Sequence, residues 1–100
     1  MANFKTDILE AVRGKHIEAI KIHGPLGYYG HDTRNDNVIF DKPLTAEQAL
    51  AMLDYQYDDG FGEQDCHDVT VWTVERIYYV HEYDGSTCLY SVERHPKQEG

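Results

Sequence analysis

The sequence predicts a single α+β domain over residues 1–100: a small antiparallel sheet of about five strands with two helices packed on one face, in the order α-β-β-α-β-β-β. Two observations support this prediction. Two segments carry apolar residues at helical spacing, and the last third of the chain is a series of β-branched and aromatic runs separated by turn signals. Strands that are grouped after helices favour an antiparallel sheet. One hundred residues provide material for one hydrophobic core, so we expect one domain.

The first helix is predicted over residues 3–13. Phe4, Ile8 and Val12 recur at every fourth position and form one apolar stripe. A glycine directly after the last periodic residue is typical of a helix end, and Gly14 meets that requirement. The stripe therefore predicts which face of this helix enters the core.

A strand, a loop and a second strand follow the first helix. Residues 15–23 contain three isoleucines, which favour extended backbone, but the apolar positions do not alternate. This irregular spacing predicts a β-bulge or burial on both faces. Residues 24–36 are rich in glycine, asparagine and aspartate, so we expect a long loop. Residues 37–41 are predicted to form a short strand that pairs with the previous one.

The second helix is predicted to begin after Pro43 and to run to about Tyr55 or Tyr57. Thr45 and Gln48 have the spacing of a capping box, in which each side chain accepts a hydrogen bond from the other residue's backbone N–H. A glycine-containing loop then leaves the helix.

The C-terminal third is predicted to form a three-stranded meander. The expected strands are residues 69–74, 77–83 and 88–93. Glu75-Arg76 provides a two-residue turn between the first two strands. Asp84-Gly85-Ser86 is a strong hairpin signal, because glycine tolerates the positive φ that tight turns require.

The charge of the chain excludes several classes of function. Eighteen acidic residues against nine basic ones give a formal net charge of −9. Direct binding of nucleic acid or of anionic membranes is disfavoured, because both need Lys and Arg to contact phosphate. The first residues contain no apolar signal-peptide core, and every apolar run is too short for a membrane span, so we expect a cytoplasmic protein. Cys66 and Cys88 are expected to be reduced there, although a disulfide between neighbouring strands stays open.

The acidic charge is concentrated in one part of the sequence. Residues 43–75 contain eight acids and no Lys or Arg, and six of these acids lie between Asp54 and Asp68. One interpretation is a solvated loop rim. The other is a docking surface for a basic partner, with apolar anchors among the acids. The residues predicted to contact such a partner are Asp54, Tyr57, Asp58, Asp59, Phe61, Glu63, Asp65 and Asp68.

Other chemistries match the sequence less well, and we predict no catalytic residue, no metal and no cofactor. The acidic loop lacks the ligand spacing of an EF-hand, and the cysteines and histidines lack the close pairs of structural zinc sites. Cys66 and His67 are neighbours, so in extended chain their side chains point to opposite faces. Nearby acids would raise the pKa of the thiol and oppose nucleophilic attack. The glycines follow a helix and sit among acids, which opposes phosphate binding.

Two segments resemble a group of short bacteriophage proteins that have no established activity. They are residues 58–67 and residues 83–87 followed by 92–96, with Val71-Trp72-Thr73 between them. The resemblance covers the C-terminal half and implies context. Small acidic phage proteins often bind and block a host enzyme, including nucleic-acid-acting defence systems, by occupying a basic groove as a nucleic-acid mimic.

We therefore predict a non-catalytic binding protein in the host cytoplasm. Its acidic loop, Asp54 to Asp68, would dock on the basic nucleic-acid-binding surface of a host protein, as an anti-CRISPR or anti-restriction inhibitor would. Two alternatives stay open. One is a small-ligand or metal-binding domain, with or without enzymatic activity, around Cys66, His67 and the glycine loop. The other is a phage structural or accessory subunit whose acids serve only solvation.

Overall fold

The computed structural model describes residues 2–27, 31–60, 64–83 and 86–94. Within these ranges it contains two helices and six strands and confirms the α+β class. In chain order these elements are β1 (Ala2–Asn3), α1 (Phe4–Val12), β2 (Ile17–Ile22), α2 (Ala46–Met52), β3 (Gln56–Tyr57), β4 (Val69–Thr73), β5 (Arg76–Tyr83) and β6 (Ser86–Glu93).

The strands form two antiparallel sheets. The larger has four strands in the order β2-β4-β5-β6, so its last three strands are the predicted meander. The smaller pairs β1 with β3. No helix in the described part of the chain is both long and apolar enough to cross a membrane.

The core lies between the two helices and one face of the larger sheet. Cross-strand pairs such as Ile20 with Val71, and Val71 with Tyr78, put alternate residues of three strands on this face. Both helices contribute to the same cluster. Its buried members are Phe4, Ile8, Val12, Ile17, Ile20, Ile22, Leu44, Ala49, Leu53, Tyr57, Cys66, Val69, Val71 and Tyr78.

Local signals predicted α1 correctly. The side chain of Asn3 caps the helix by accepting a hydrogen bond from the backbone N–H three residues later, at 2.9 Å. Phe4, Ile8 and Val12 are all buried, as the apolar stripe predicted. The helix ends with two residues of positive φ, the second of which is Gly14 at 76°.

The second helix is shorter than predicted. Both hydrogen bonds of the capping box between Thr45 and Gln48 are present. The helix ends at Met52 and does not reach Tyr55 or Tyr57, so the predicted C-terminus was wrong. The reason is tertiary pairing: the first backbone N–H groups of α1, which have no partner within their own helix, donate to carbonyls just after α2. Phe4 N–H bonds the Tyr55 carbonyl at 2.9 Å, and the chain continues as β3 beside β1.

The predicted strand at residues 37–41 is also wrong, because this segment has no strand in the structure. Asn37 and Asp41 adopt positive φ angles of 65° and 60°, which are incompatible with continuous extended pairing. Single contacts replace the strand. Asp41 N–H bonds the Ile22 carbonyl at 2.8 Å, and Leu44 forms an isolated bridge with Ile20.

The remaining strand predictions hold with small shifts. The expected irregularity in β2 is a register shift between Ile17 and Ala19. The β4–β5 turn lies one residue earlier than predicted, at Val74-Glu75. Tyr83 pairs with Ser86, whereas the other two residues of the predicted turn, Asp84 and Gly85, lie outside the described residues.

The two cysteines are not joined. Cys66 is buried in the core, Cys88 is exposed on β6, and both are free thiols.

Candidate functional site

The predicted docking residues fall into three groups in the structure. Asp54, Asp58, Asp59 and Asp68 are exposed on the surface, as the docking interpretation requires. Phe61 and Glu63 lie outside the described residues. Tyr57 and Asp65 are engaged in contacts within the fold.

Tyr57 belongs to the core, which corrects its prediction as a partner contact. The side chain is 2% exposed, and its ring packs against Phe4 with the centroids 5.4 Å apart. Its hydroxyl donates a 2.5 Å hydrogen bond to Oδ2 of Asp7, and burial followed by this bond raises the pKa of the phenol. Because β3 replaces the last turn of the predicted helix, Tyr57 points inward beside α1.

Asp65 is held by an ion pair from the long loop, so its charge is largely neutralised within the molecule. One nitrogen of Arg34 contacts Asp65 Oδ1 at 2.8 Å, and another donates to the Asp65 carbonyl at 2.7 Å. Burial alone would raise the pKa of this carboxyl, but hydrogen bonds from Arg34 and from the Asp58 amide hold it below the ordinary value. Asp65 is therefore held within the fold by Arg34, and we call the group of Asp32, Arg34 and Asp65 the clamp.

Arg34 is the central residue of the clamp, because it bonds both carboxylates. Its guanidinium forms two hydrogen bonds with the Asp32 carboxylate, at 2.7 and 3.0 Å, and stands 5.1 Å from the centroid of the Tyr55 ring. The hydrogen bond from Arg34 lowers the pKa of Asp32 from 3.8 to about 2. Sequence reasoning missed this residue, because Arg34 and Asp65 lie 31 positions apart and neither carries a local signal for the other.

The clamp also shapes the acidic loop. Asp65 Oδ2 accepts a hydrogen bond from the Asp58 backbone N–H at 2.9 Å, and the Asp58 side chain accepts one from the Gly60 N–H at 3.0 Å. These bonds bring the two ends of the loop together. Asp58 and Asp59 consequently lie side by side on the surface beside the anchored Asp65.

Three polar side chains next to the clamp, those of Asn35, His67 and Tyr55, are connected by hydrogen bonds. His67 is fully buried, with Nε2 2.9 Å from Oδ1 of Asn35 and Nδ1 2.7 Å from the Tyr55 hydroxyl. The same Asn35 oxygen accepts from the Leu26 N–H, and the Asn35 amide donates to the Leu26 carbonyl, which identifies that oxygen as an acceptor. His67 therefore donates through Nε2 and accepts through Nδ1 as a neutral ring. Burial lowers its pKa from 6.5 to about 4.

Cys66 and His67 are not accessible to a ligand. Cys66 is 1% exposed, and burial, with Asp68 and Asp65 as lesser causes, raises the pKa of its thiol to about 12. Both ring nitrogens of His67 already have hydrogen-bond partners. The thiol of Cys66 is therefore un-ionised and buried, and the Nδ1 lone pair of His67 is occupied by a hydrogen bond, which opposes nucleophilic attack and metal binding. Among the described residues, no group of three or more His, Cys, Asp and Glu side chains is arranged to hold a metal.

Most acids of residues 43–75 remain available on the surface. Asp65 is the only acid of this stretch with an ion pair in the described part of the chain. The others that the structure describes are exposed: Glu47, Asp54, Asp58, Asp59, Asp68 and Glu75. The arrangement is thus a set of surface carboxylates that have no ion pair among the described residues, together with one arginine that neutralises Asp65.

Comparison of the chain with known protein families, curated proteins and solved structures found no match.

Proposed function

We propose that the protein is a non-catalytic acidic binding protein that docks Asp54, Asp58, Asp59 and Asp68 on a basic, nucleic-acid-binding surface of a host protein. The observation that carries this proposal is the set of six exposed carboxylates in residues 43–75, none of which has an ion pair among the described residues. Like charges held near one another repel, and a basic partner relieves that repulsion. Inhibition of an enzyme that acts on nucleic acid is the concrete form, and it also draws on the phage resemblance of the sequence.

The anchoring of Asp65 supports docking. Arg34 and the Asp58 amide restrain the loop before any partner binds, so less conformational entropy is lost on association. Exposed carboxylates contribute mainly to the rate of encounter and to the choice of partner. We therefore expect an association rate that falls steeply as ionic strength rises.

Matched charge variants test the proposal. The test variant changes Asp58, Asp59 and Asp68 to Asn, which keeps the side-chain oxygens that accept local hydrogen bonds. The control changes Asp36 and Asp41 to Asn and Glu93 to Gln, exposed acids outside residues 43–75, and removes the same charge. Circular dichroism establishes that both variants are folded before binding is measured.

Each tagged variant is incubated with bacterial lysate, and the retained proteins are identified. The proposal predicts a basic nucleic-acid-handling protein that the native chain and the control retain and the test variant loses. The purified partner should then lose nucleic-acid binding when the native chain is added. Equal retention by all three chains, or a partner with no basic surface, would refute the proposal.

A further inference from the structure

Strand β6 is an open edge of the larger sheet. It pairs with β5 over eight consecutive residue pairs, from Arg76–Glu93 to Tyr83–Ser86. At its start, Thr87 N–H donates to the Asp59 carbonyl at 2.9 Å, so this amide points away from β5. Backbone direction alternates along a strand, so the N–H and C=O groups of Leu89 and Ser91 also point outward.

The acidic loop already contacts this edge, because the Asp59 carbonyl accepts the hydrogen bond from Thr87 N–H that a fifth strand would accept. Beyond Thr87, the outward backbone groups at Leu89 have no partner outside the sheet among the described residues. The Ser91 carbonyl has only a 3.5 Å contact with Arg76. The opposite edge of the sheet differs, because Leu44 exchanges two backbone hydrogen bonds with Ile20 of β2.

The edge lacks the features that normally prevent strand addition. Proteins protect open edges with lysine, proline, bulges or short strands. β6 has eight residues and no lysine or proline, its register with β5 is uninterrupted, and its one charged residue is Glu93. Among the described residues, the part of this edge beyond Thr87 is therefore unprotected, as is expected where another strand binds.

A groove of about 680 Å³ lies beside this edge, between α1 and the inner face of β5 and β6. This volume is within the range of about 300–1,000 Å³ that is usual for binding sites. Three carboxylates and three cations are among the residues that line it: Asp7, Glu10, Asp59, Arg13, Lys15 and Arg76. Thr87 and Ser91 are four residues apart, so the two ends are about 14 Å apart.

Hydrogen bonds show which charged residues lie at the Thr87 end of the groove and which lie at the Ser91 end. Asp59 is bonded to Thr87 through its carbonyl, and Asp7 accepts from Tyr57 on the same side. At the other end, the guanidinium of Arg76 donates to the Ser91 hydroxyl at 2.8 Å. Side chains of an added strand that point to the inner face would therefore meet cations opposite Ser91 and approach carboxylates from the position opposite Leu89.

We propose that this edge and groove bind an extended segment of a partner protein as a fifth, antiparallel strand, with an acidic residue opposite Ser91 and a basic residue two positions later, opposite Leu89. The segment pairs its backbone with Leu89 and Ser91. Its acidic side chain faces Arg76 and Lys15, and its basic side chain reaches toward Asp59. Backbone bonds give affinity and the alternate side chains give selectivity.

Charge complementarity favours a foreign segment over a second copy of this chain. β6 contains no basic residue that could form an ion pair with the carboxylates at the Thr87 end of the groove. Two copies also repel each other, since each carries a net charge of −9. The inference goes beyond the proposed function, because it rests on backbone pairing at β6 and requires no nucleic-acid-binding surface on the partner.

Short blocked peptides test the inference with the intact protein. The probe is Thr-Val-Glu-Val-Lys, in which Glu is aligned with Ser91 and Lys with Leu89. A peptide of the same composition with Glu and Lys exchanged tests the order of charges. N-methylation of the Lys amide removes a donor that faces β6, whereas N-methylation of the preceding Val amide alters a donor that faces away and serves as the matched control.

Binding is followed through the backbone amide resonances of Leu89 and Ser91. The proposal predicts shifts of these resonances with the probe and with the Val-methylated peptide, and at least about tenfold weaker binding of the other two. Lys15→Glu should weaken the probe about fivefold, whereas Lys42→Glu, outside the groove, should leave it unchanged.

Three results would overturn the proposal. They are the absence of shifts at these amides, equal affinity of both methylated peptides, and a dimer in sedimentation analysis whose contact is β6. The third result would identify a second copy as the occupant.

Discussion

Acidification between pH 7 and pH 4 should destabilise this protein through one buried histidine. His67 is neutral in the fold, because Nε2 donates to Asn35 and Nδ1 accepts from Tyr55. A protonated ring would present an N–H to the Tyr55 hydroxyl, which already accepts the His67 backbone N–H at 2.9 Å. Protonation would therefore cost a hydrogen bond and bury a charge.

The size of the effect follows from the difference between the folded and unfolded pKa values. The pKa of His67 is about 4 in the fold against 6.5 for an exposed histidine. Between these values the unfolded chain binds a proton that the folded chain does not, so the free energy of unfolding falls as the pH falls. The full loss approaches about 3 kcal/mol, at up to about 1.4 kcal/mol per pH unit. A domain of this size has about 5–15 kcal/mol in total.

Carboxylates of the clamp act in a lower pH range. The pKa of Asp32 falls from 3.8 to about 2, so its contribution is lost only as the pH drops below about 4. The decline between pH 6.5 and 4 is therefore assigned to His67.

Urea unfolding at half-unit pH intervals, followed by the fluorescence of Trp72 in β4, measures this dependence. His67→Gln should lower stability at pH 7 and flatten the curve between pH 6.5 and 4. The same change at exposed His16 is the control and should keep the native slope. An NMR titration that gives His67 a folded pKa near 6.5, or an unchanged slope in His67→Gln, would refute the reasoning.

Two further predictions concern the clamp and the thiols. Arg34→Met removes the cation between two partly buried carboxylates, so we expect about 2 kcal/mol of destabilisation in urea unfolding at pH 7; a loss below about 0.5 kcal/mol would show that the pairs are only surface contacts. A thiol reagent should modify exposed Cys88 at once and buried Cys66 only in denaturant; equal rates for both thiols in the native protein would contradict the burial of Cys66.

Elements with local signals were predicted from the sequence. Consecutive members of the α1 stripe are four positions apart and the two residues of the α2 capping box are three apart, so spacing alone identifies both. The C-terminal meander was predicted for the same reason, since short turns connect its strands. Its turn positions were accurate to one residue where the structure describes them.

Elements decided by distant pairing were mispredicted. Residues 55–57 continue the helical spacing of α2, but backbone bonds to the start of α1 draw them into β3. Residues 37–41 have strand-like composition, yet positive φ at Asn37 and Asp41 interrupts the pairing. In both places, hydrogen bonds or backbone geometry outside the local pattern outweighed propensity.

The candidate site also has features that the local sequence determined and features that distant contacts decided. The sequence by itself determined that residues 43–75, which include the second helix and the loop after it, carry eight acids and no Lys or Arg, and a high charge density keeps most of those side chains in water. Only the tertiary structure decided that Tyr57 enters the core, that Arg34 neutralises Asp65, and that His67 is a buried neutral ring. Those outcomes depend on contacts between residues 12 to 50 positions apart, and no short-range pattern encodes them.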